Sequence, residues 1–302
     1  MKVLSLLASI IVVFLPFSLL GKPYGSRMDE TPHEQIGDVV FADGSVIYKC
    51  DSSKEYYCSK ILSLQRALSL SLCDVSWAAG LERDDFFFLN IHTGEKFIEK
   101  TPLGVNFSYQ HCDRVGNKLI LYIGNINGFV HVSVFDPSVR KIQTSILQLS
   151  KSAIKYIGSL ENDNLITCSG EKEWDLANLT KALPVFASES LTVFSQVPAK
   201  RFNFESLKNI AQCSYNGGYV CGIDSDGNYE CWKLRGVKLK ISGKTEKSFQ
   251  AIFNRKSNVF IQYPGYFVDV EKQIEINGRL VFGISQQGSY LLRLIDGKLK
   301  SF

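Results

Sequence analysis

The residue types that perform most enzymatic chemistry are present in this sequence, but they do not form a catalytic pattern. His111-Cys112 and the downstream Ser225 keep the order found in trypsin-like proteases. In those enzymes glycines around the serine build the oxyanion hole, whereas here Asp224 and Asp226 flank it. The chain has three other histidines, His33, His92 and His131. None of the four lies at a metal-binding spacing from another, so we predict no catalytic residue.

Residues Asp224 to Glu230 alternate oxygen-bearing side chains and include Gly227, which is part of a calcium-loop pattern. The third early ligand and the distant bidentate glutamate are missing from their places. A hairpin turn requires the same Asp and Gly residues, so we interpret the segment as a turn. The sequence contains no Cys-x-x-Cys pair, which a structural zinc site usually needs. We predict neither a metal nor another cofactor.

One segment carries a local excess of positive charge in a chain whose formal net charge is +4. Its predicted binding residues are Lys233, Arg235, Lys238, Lys240 and Lys244. On a strand, Lys238 and Lys240 would point to the same face, and that face suits an anionic glycan or protein surface. Lysines on an edge strand also prevent aggregation, which is the alternative explanation. We expect an extracellular protein or an anionic glycan as the partner, and no nucleic acid.

Eight cysteines indicate disulfides if the chain is exported to an oxidising compartment. We predict the pairs Cys50 to Cys58 and Cys221 to Cys231, because each brackets a turn short enough to bring strand positions opposite each other. Cys213 is a rival partner for Cys221, since Asn216-Gly217 forms a second turn between them. The sequence leaves three further cysteines unassigned, namely Cys73, Cys112 and Cys168.

The amino terminus supports export. Val3 to Leu20 is an uncharged, apolar run after a short charged start, which is typical of a signal peptide, and we place cleavage after Gly21. The alternative is an uncleaved anchor, because such a run is just long enough to span a bilayer. We predict a signal peptide at 1–21, a polar linker at 22–34 and one domain at 35–302. Without the signal the chain has no stable membrane span, and we expect it to be secreted or periplasmic.

The elements that must position these residues are β-strands. Leucines at 62, 64, 68, 70 and 72 alternate with serines at 63, 69 and 71, a pattern that buries one face of a sheet. Turn-forming pairs separate such runs: Asp43-Gly44, Thr93-Gly94, Asn127-Gly128, Asn216-Gly217, Asp226-Gly227, Asn277-Gly278 and Asp296-Gly297. These pairs tolerate the positive φ angles of hairpin turns. The sequence from Glu205 to Gln212 is the one candidate helix.

Internal repeats define the architecture. Tyr219 to Leu234 aligns without a gap to the segment that begins at Leu280, so that Gly222 matches Gly283 and Gly227 matches Gly288. A weaker copy with one residue fewer between its glycines lies at Ile123 to Val132. Hairpins that recur in this way predict propeller blades, each of which must stack on its neighbours. We predict an all-β fold, a single β-propeller of about six blades, with an irregular β-sandwich as the alternative.

The segment 210–232 also resembles one repeat of the secreted bacterial proteins related to the regulator of chromosome condensation. In that family a strand ending in Cys precedes Asp-x-Asp-Gly and a strand that ends Cys-Trp-Gly. Cys221, Asp224, Asp226, Gly227, Cys231 and Trp232 fit this pattern, whereas Lys233 replaces the final glycine. The resemblance implies a propeller blade, but propellers serve many functions.

Two functions are compatible with such a fold. We predict an extracellular binding module, and the alternative is a secreted propeller hydrolase acting on glycans. The catalytic carboxylates of glycosidases need not be close in sequence. In a hydrolase they would meet at one end of the central channel, and the candidates are Asp84, Asp85, Glu173 and Asp175.

Overall fold

The computed structural model of the protein describes residues 36–54, 56–65, 67–83, 85–100, 107–160, 164–170, 173–178, 192–194, 199–216, 218–233, 238–245, 248–255 and 258–300. The expected signal peptide and polar linker, at 1–34, lie outside these residues. The regular elements of the described part are β-strands and one 3₁₀ turn at Ser52–Lys54. No helix in this part is long and apolar enough to cross a membrane.

The described chain begins with three antiparallel strands, β1 (Val39–Asp43), β2 (Val46–Asp51) and β3 (Tyr57–Ser63). The alternating leucines between Leu62 and Leu72 lie on strands of two different sheets, because β3 ends at Ser63 and the next strand begins at Ala67. The amide of Ala67 donates to the carbonyl of Leu64 at 3.2 Å and closes a turn. Leucine alternation is the same in two successive strands, so the pattern alone does not show where a sheet ends.

Five antiparallel blades follow. Blade 1 contains β4 (Ala67–Leu72), β5 (Trp77–Glu82), β6 (Asp85–Asn90) and β7 (Lys96–Lys100), and blade 2 contains β8 (Phe107–Val115), β9 (Lys118–Asn125), β10 (Phe129–Asp136) and β11 (Lys141–Gln148). Blade 3 contains β12 (Ile154–Leu160), β13 (Asn164–Ser169) and β14 (Glu173–Asn178); β15 (Thr192–Phe194) then pairs with β11 of blade 2, and β16 (Ala199–Asn203) completes blade 3. Blade 4 contains β17 (Ile210–Asn216), β18 (Tyr219–Asp224), β19 (Asn228–Lys233) and β20 (Lys238–Lys244), and blade 5 contains β21 (Ala251–Arg255), β22 (Asn258–Tyr263), β23 (Tyr266–Asp269) and β24 (Ile274–Asn277). The first strand of each blade is its inner strand.

The two ends of the described chain close the ring. The last strands, β25 (Arg279–Ser285), β26 (Gly288–Ile295) and β27 (Lys298–Lys300), join β1, β2 and β3 in a closed six-stranded barrel. Val40 lies opposite Ile284 and Phe41 opposite Gly283 where β1 meets β25. The structure therefore has six sheets around one ring. It confirms the predicted β-propeller, and the alternative of an irregular sandwich is wrong.

Each blade buries both of its faces against its neighbours. Phe86, Phe87 and Phe88 are consecutive on β6 and all are fully buried. Because successive side chains of a strand point to opposite faces, such a run requires apolar contacts on both sides of the sheet. On one side Phe88 stacks on Phe135 of blade 2, with ring centroids 5.1 Å apart. Uninterrupted apolar strands are thus the sequence signal for stacked blades.

The repeats mark equivalent hairpin turns. Asp224 Oδ1 accepts hydrogen bonds from the amides of Asp226 at 3.0 Å and Asn228 at 2.9 Å. At the matching positions, Asn125 Oδ1 accepts from the amides two and four residues on, and Ser285 Oγ accepts from the amide of Gln287. Gly227 adopts a φ of +82°, which suits glycine. The aligned residues therefore recur because each turn needs a side-chain acceptor to cap its backbone amides.

The candidate helix from Glu205 to Gln212 is wrong, because buried carboxylates bind the backbone amides of this segment. Glu230 accepts from the amides of Glu205 at 3.0 Å and Ser206 at 2.6 Å, and Asp224 Oδ2 accepts from Lys208 at 3.1 Å. Burial alone would raise the pKa of Glu230, but hydrogen bonds from Ser206 and other donors lower it overall. Tertiary hydrogen bonds thus replace the helical ones.

His131 on β10 makes folding stability depend on pH. The residue is 1% exposed, and its Nδ1 has no hydrogen-bond partner among the described residues. Burial lowers the pKa of His131 below the ordinary value of 6.5. As the pH falls through about 6.5, the unfolded chain takes up a proton that the folded protein excludes, so stability present above that pH is lost.

We therefore expect the melting temperature of the protein to fall between pH 7.5 and about pH 5, above the range in which carboxylates titrate. His131→Gln should lower the melting temperature at neutral pH and flatten this dependence. His92→Gln is the control, because His92 is exposed. An unchanged pH dependence in His131→Gln would contradict the assignment.

Candidate functional site

Four disulfides connect the described cysteines in two different ways. Cys50 is joined to Cys58 across β2 and β3, and Cys221 to Cys231 across β18 and β19. These are the two pairs expected from the sequence, and each lies within one sheet. The other two pairs join neighbouring blades: Cys73 to Cys112 links blades 1 and 2, and Cys168 to Cys213 links blades 3 and 4. Cys213 is therefore not the partner of Cys221. Disulfides of this number are typical of oxidising, extracytoplasmic compartments.

The basic segment forms the outer edge of blade 4. Lys233 of β19 lies directly opposite Lys238 of β20, so both side chains project from the same face of the sheet. A β-bulge follows, in which Leu239 pairs with Trp232 and Lys240 is the extra residue. Lys240 Nζ lies 3.0 Å from Glu271 Oε1 in blade 5. We call Lys233, Lys238 and Lys240 the basic face.

Lys244, which was predicted to share this face, does not belong to it. Lys244 pairs with Asn228, and Ile241 pairs with Cys231. Cys231 and Lys233 are two residues apart on β19 and so share a face, and Ile241 lies on that face because it is opposite Cys231. Lys244 is three residues beyond Ile241 and therefore points to the other face of the sheet. The prediction that Lys244 joins the basic face is wrong, because the bulge and the strand alternation separate them. Arg235 lies outside the described residues.

The basic face retains unbalanced positive charge. Lys233 and Lys238 are exposed and form no ion pair with any residue that the structure describes. Two like charges directly opposite each other on neighbouring strands destabilise a sheet by about 0.2–1 kcal/mol. An anion bound between the two ammonium groups would remove this cost. The arrangement therefore suits an anionic ligand better than it suits the free protein.

A second candidate site is the channel along the axis of the ring. It has a volume of about 360 Å³ and is bordered by the inner strands of all five blades together with β1 and β25. Each of the five inner strands pairs with another strand on one edge only. Some carbonyls of these strands accept side-chain hydrogen bonds instead, as Tyr215 O does from the Tyr156 hydroxyl at 3.4 Å and Asn216 O from Asn254 Nδ2 at 2.9 Å. At one place in the wall Arg279 binds Asp43 through two hydrogen bonds, of 2.9 and 2.7 Å.

Aromatic side chains border most of this channel. Five successive inner strands, counting β25, each contribute one: Tyr109, Tyr156, Tyr215, Phe253 and Phe282. The rings of Tyr109 and Tyr156 are 5.4 Å apart and tilted by 42°. Burial raises the pKa of both tyrosines, so their hydroxyls stay protonated. We call these five residues the aromatic arc. The sequence did not indicate them because they are unevenly spaced along the chain.

The described acids considered for a hydrolase lie on strands that do not border the channel. Asp85 lies on β6, and Glu173 and Asp175 lie on β14, each the third strand of its blade. Asp84 is outside the described residues. Among the described residues that border the channel, the one carboxylate is Asp43, which Arg279 binds. His111 borders the channel, whereas Ser225 lies in the turn between β18 and β19, away from that wall.

The segment considered for calcium forms a turn. Both carboxylate oxygens of Asp224 accept hydrogen bonds, from the backbone of Lys208, Asp226 and Asn228 and from the Asn228 side chain. Asp224 is fully buried. Burial would raise its pKa, but these hydrogen bonds lower it overall. The carboxylate is therefore engaged in holding the hairpin, as the turn interpretation requires.

Comparisons with known proteins show the fold of the chain and no family. No family model and no curated protein matches the chain. Among solved structures, a chain from the crystal structure of a nidogen/laminin complex matches with a TM-score of 0.52 and 10% sequence identity, and the match covers 84% of this chain and 96% of that one. At this identity the likeness shows the architecture. The chain is thus a disulfide-bearing protein with the β-propeller fold.

Proposed function

We propose that the protein is an exported β-propeller that binds an anionic partner, such as a sulfated glycan or an acidic protein surface, through its basic face. The observation that carries the proposal is the placement of Lys233 opposite Lys238 on an exposed edge of blade 4. The bulge and the Cys221 to Cys231 disulfide fix the strands that present these lysines. Removal of residues 1–21 during export is part of the same proposal.

One comparison is consistent with a binding role, because the similar solved structure comes from a complex of two proteins. It does not identify the partner of this chain, so the charge of the basic face defines the chemical class of that partner.

Lys238→Glu tests this function. We expect retention on immobilised heparin, a sulfated polysaccharide, to fall sharply, because the substitution reverses one charge of the pair. Retention of the unmodified protein should decrease with added salt, since the Debye length is about 8 Å at physiological ionic strength. In contrast, the melting temperature should rise slightly, because Glu opposite Lys233 replaces repulsion by attraction worth about 0.2–1 kcal/mol.

Lys244→Glu is the matched control. It lies on the same strand and changes the net charge equally, but it projects from the other face. Retention of the protein on heparin should depend on Lys238 and be insensitive to Lys244. Equal losses in both variants would show that net charge alone causes retention and would refute a defined basic face.

A further inference from the structure

We propose that the outer edge of blade 4 takes an extended acidic segment of a partner protein as a fifth strand. This inference rests on the proposed function and narrows its partner from anionic molecules in general to an acidic peptide chain. The strand concerned is β20, which pairs with β19 on one side and with no described strand on the other. An edge strand presents unpaired backbone N–H and C=O groups, to which an extended peptide can add.

Another blade of this protein already carries a fifth strand at its outer edge. β15 pairs in parallel with β11, the outer strand of blade 2, so that Thr192 lies opposite Ser145 and Phe194 opposite Leu147. β15 belongs to the connection between β14 and β16 of blade 3, so it reaches this edge from a neighbouring blade. The outer edge of a blade in this fold therefore accepts an added strand.

Among the described outer strands, β20 has the longest edge that no strand covers. It has seven residues, whereas β7 and β16 have five each and β24 has four. All residues of β20 except Ile241 are exposed. Strands in globular proteins usually have about 3–10 residues, so β20 is long enough to pair with a complete added strand.

The register of β20 identifies the backbone groups that face this edge. The amide of Thr245, the residue after β20, donates to the carbonyl of Gly227 at 2.9 Å, so these two residues form a hydrogen-bonded pair. Hydrogen-bonded and non-hydrogen-bonded pairs alternate along antiparallel strands. Lys244 and Ser242 are one and three residues before Thr245 in an unbroken part of the register, so both occupy non-hydrogen-bonded positions. Their N–H and C=O groups therefore point away from β19, toward the edge.

The side chains of β20 select an acidic partner strand. The strand contains three lysines and no acidic residue. Lys238 and Lys244 project from opposite faces of the sheet, and neither forms an ion pair with a described residue. An added strand has side chains on both faces, so its acidic residues would lie beside both lysines. The same lysines disfavour a neutral or basic strand, which makes the edge selective.

Isothermal titration of the mature protein with synthetic peptides tests the added strand. The probe is a terminally blocked peptide of about ten residues, in which pairs of glutamates alternate with pairs of valines, so that acids lie on both faces. We expect it to bind with a Kd below about 1 mM. The comparison peptide has the same sequence and charge but is methylated on every valine nitrogen. Because the valines are adjacent in pairs, one methyl group of each pair faces β20 in either register, and binding should weaken at least about tenfold.

Ser242→Pro tests the same contact from the side of the protein. Because the Ser242 N–H faces outward, proline removes a donor to the added strand without removing a hydrogen bond to β19. We expect binding of the unmethylated peptide to weaken at least about tenfold, with retention on heparin unchanged. Ser242→Ala is the control and should bind the peptide as the unmodified protein does. If Ser242→Pro lowers the melting temperature, the methylated peptide gives the test on the unmodified protein.

The outcomes separate the added strand from the basic face. Weaker binding of the methylated peptide, together with unchanged heparin retention in Ser242→Pro, supports the added strand. The added strand is overturned if no peptide binds, if both peptides bind equally well, or if Ser242→Ala weakens binding as much as Ser242→Pro does. In each of these cases a loss of heparin retention in Lys238→Glu would still support the basic face, so the two failures are distinguishable.

Discussion

Replacing the four cysteines that join neighbouring blades should leave the protein largely unfolded at 37 °C. The Cys73 to Cys112 and Cys168 to Cys213 disulfides close loops of 39 and 45 residues. By the chain-entropy relation, loops of this length contribute about 4 kcal/mol each. Loss of both removes about 8 kcal/mol, a large part of the 5–15 kcal/mol that stabilises a typical folded domain.

The position of these two disulfides adds to the effect. Strand pairing runs within each blade, and neighbouring blades belong to separate sheets. Contacts between blades are therefore mainly between side chains, and these two disulfides cross-link neighbouring blades in addition to the backbone that connects them. A blade that separates from its neighbour exposes one complete apolar face to water.

Denaturant unfolding of single-pair variants measures each contribution. Cys73→Ala with Cys112→Ala should cost about 4 kcal/mol. Cys50→Ala with Cys58→Ala is the matched control, because its disulfide closes a loop of 8 residues within one sheet and should contribute about 2.5 kcal/mol. A larger loss from the control pair would contradict the view that links between blades dominate stability.

The second large effect is expected from Gly283→Ala, which should destabilise the closure of the ring by about 1–3 kcal/mol. Gly283 lies on β25 opposite Phe41 of β1. A Cβ atom at this position would lie 2.4 Å from Val39 Cγ1 and 3.2 Å from Leu292 Cδ1. Val39 is fully buried, so its side chain has little room to move away.

A double-mutant cycle isolates this contact. Val39→Ala removes the Cγ1 atom, so the combination with Gly283→Ala should cost less than the sum of the two single variants, by about 0.5–3 kcal/mol. Gly170→Ala is the control, because its added Cβ would lie 3.6 Å from the nearest atom, Ser152 Oγ, an ordinary contact. If the two costs simply add, the glycine is not required for close approach of β1 and β25.

The repeat explains why this glycine could be identified before the structure was known. Gly222 and Gly283 align in the sequence, and in the structure both lie where a neighbouring segment approaches closely: Phe204 Cζ would lie 2.7 Å from a Cβ at Gly222. Blade stacking therefore requires glycine at equivalent positions. Sequence alone could not show which segment approaches, since that segment is a linker at Gly222 and β1 at Gly283.

The local features of the fold were determined by the sequence itself. Turn pairs such as Asp43-Gly44 and Asp226-Gly227 specify hairpins, because their conformational preferences act over a few residues. Apolar runs such as Phe86 to Phe88 specify blades that are buried on both faces. For the same reason the cysteines that face each other across one hairpin, such as Cys221 and Cys231, could be paired from spacing.

Only the tertiary structure decided features that join distant segments. The links from Cys73 to Cys112 and from Cys168 to Cys213, the closure of β1 on β25, and the aromatic arc each combine residues from different blades. A one-residue bulge in β20 likewise decided the basic face, because it changes which lysines share a side of the strand. Local preferences cannot specify such features, since they depend on how complete sheets pack around a common axis.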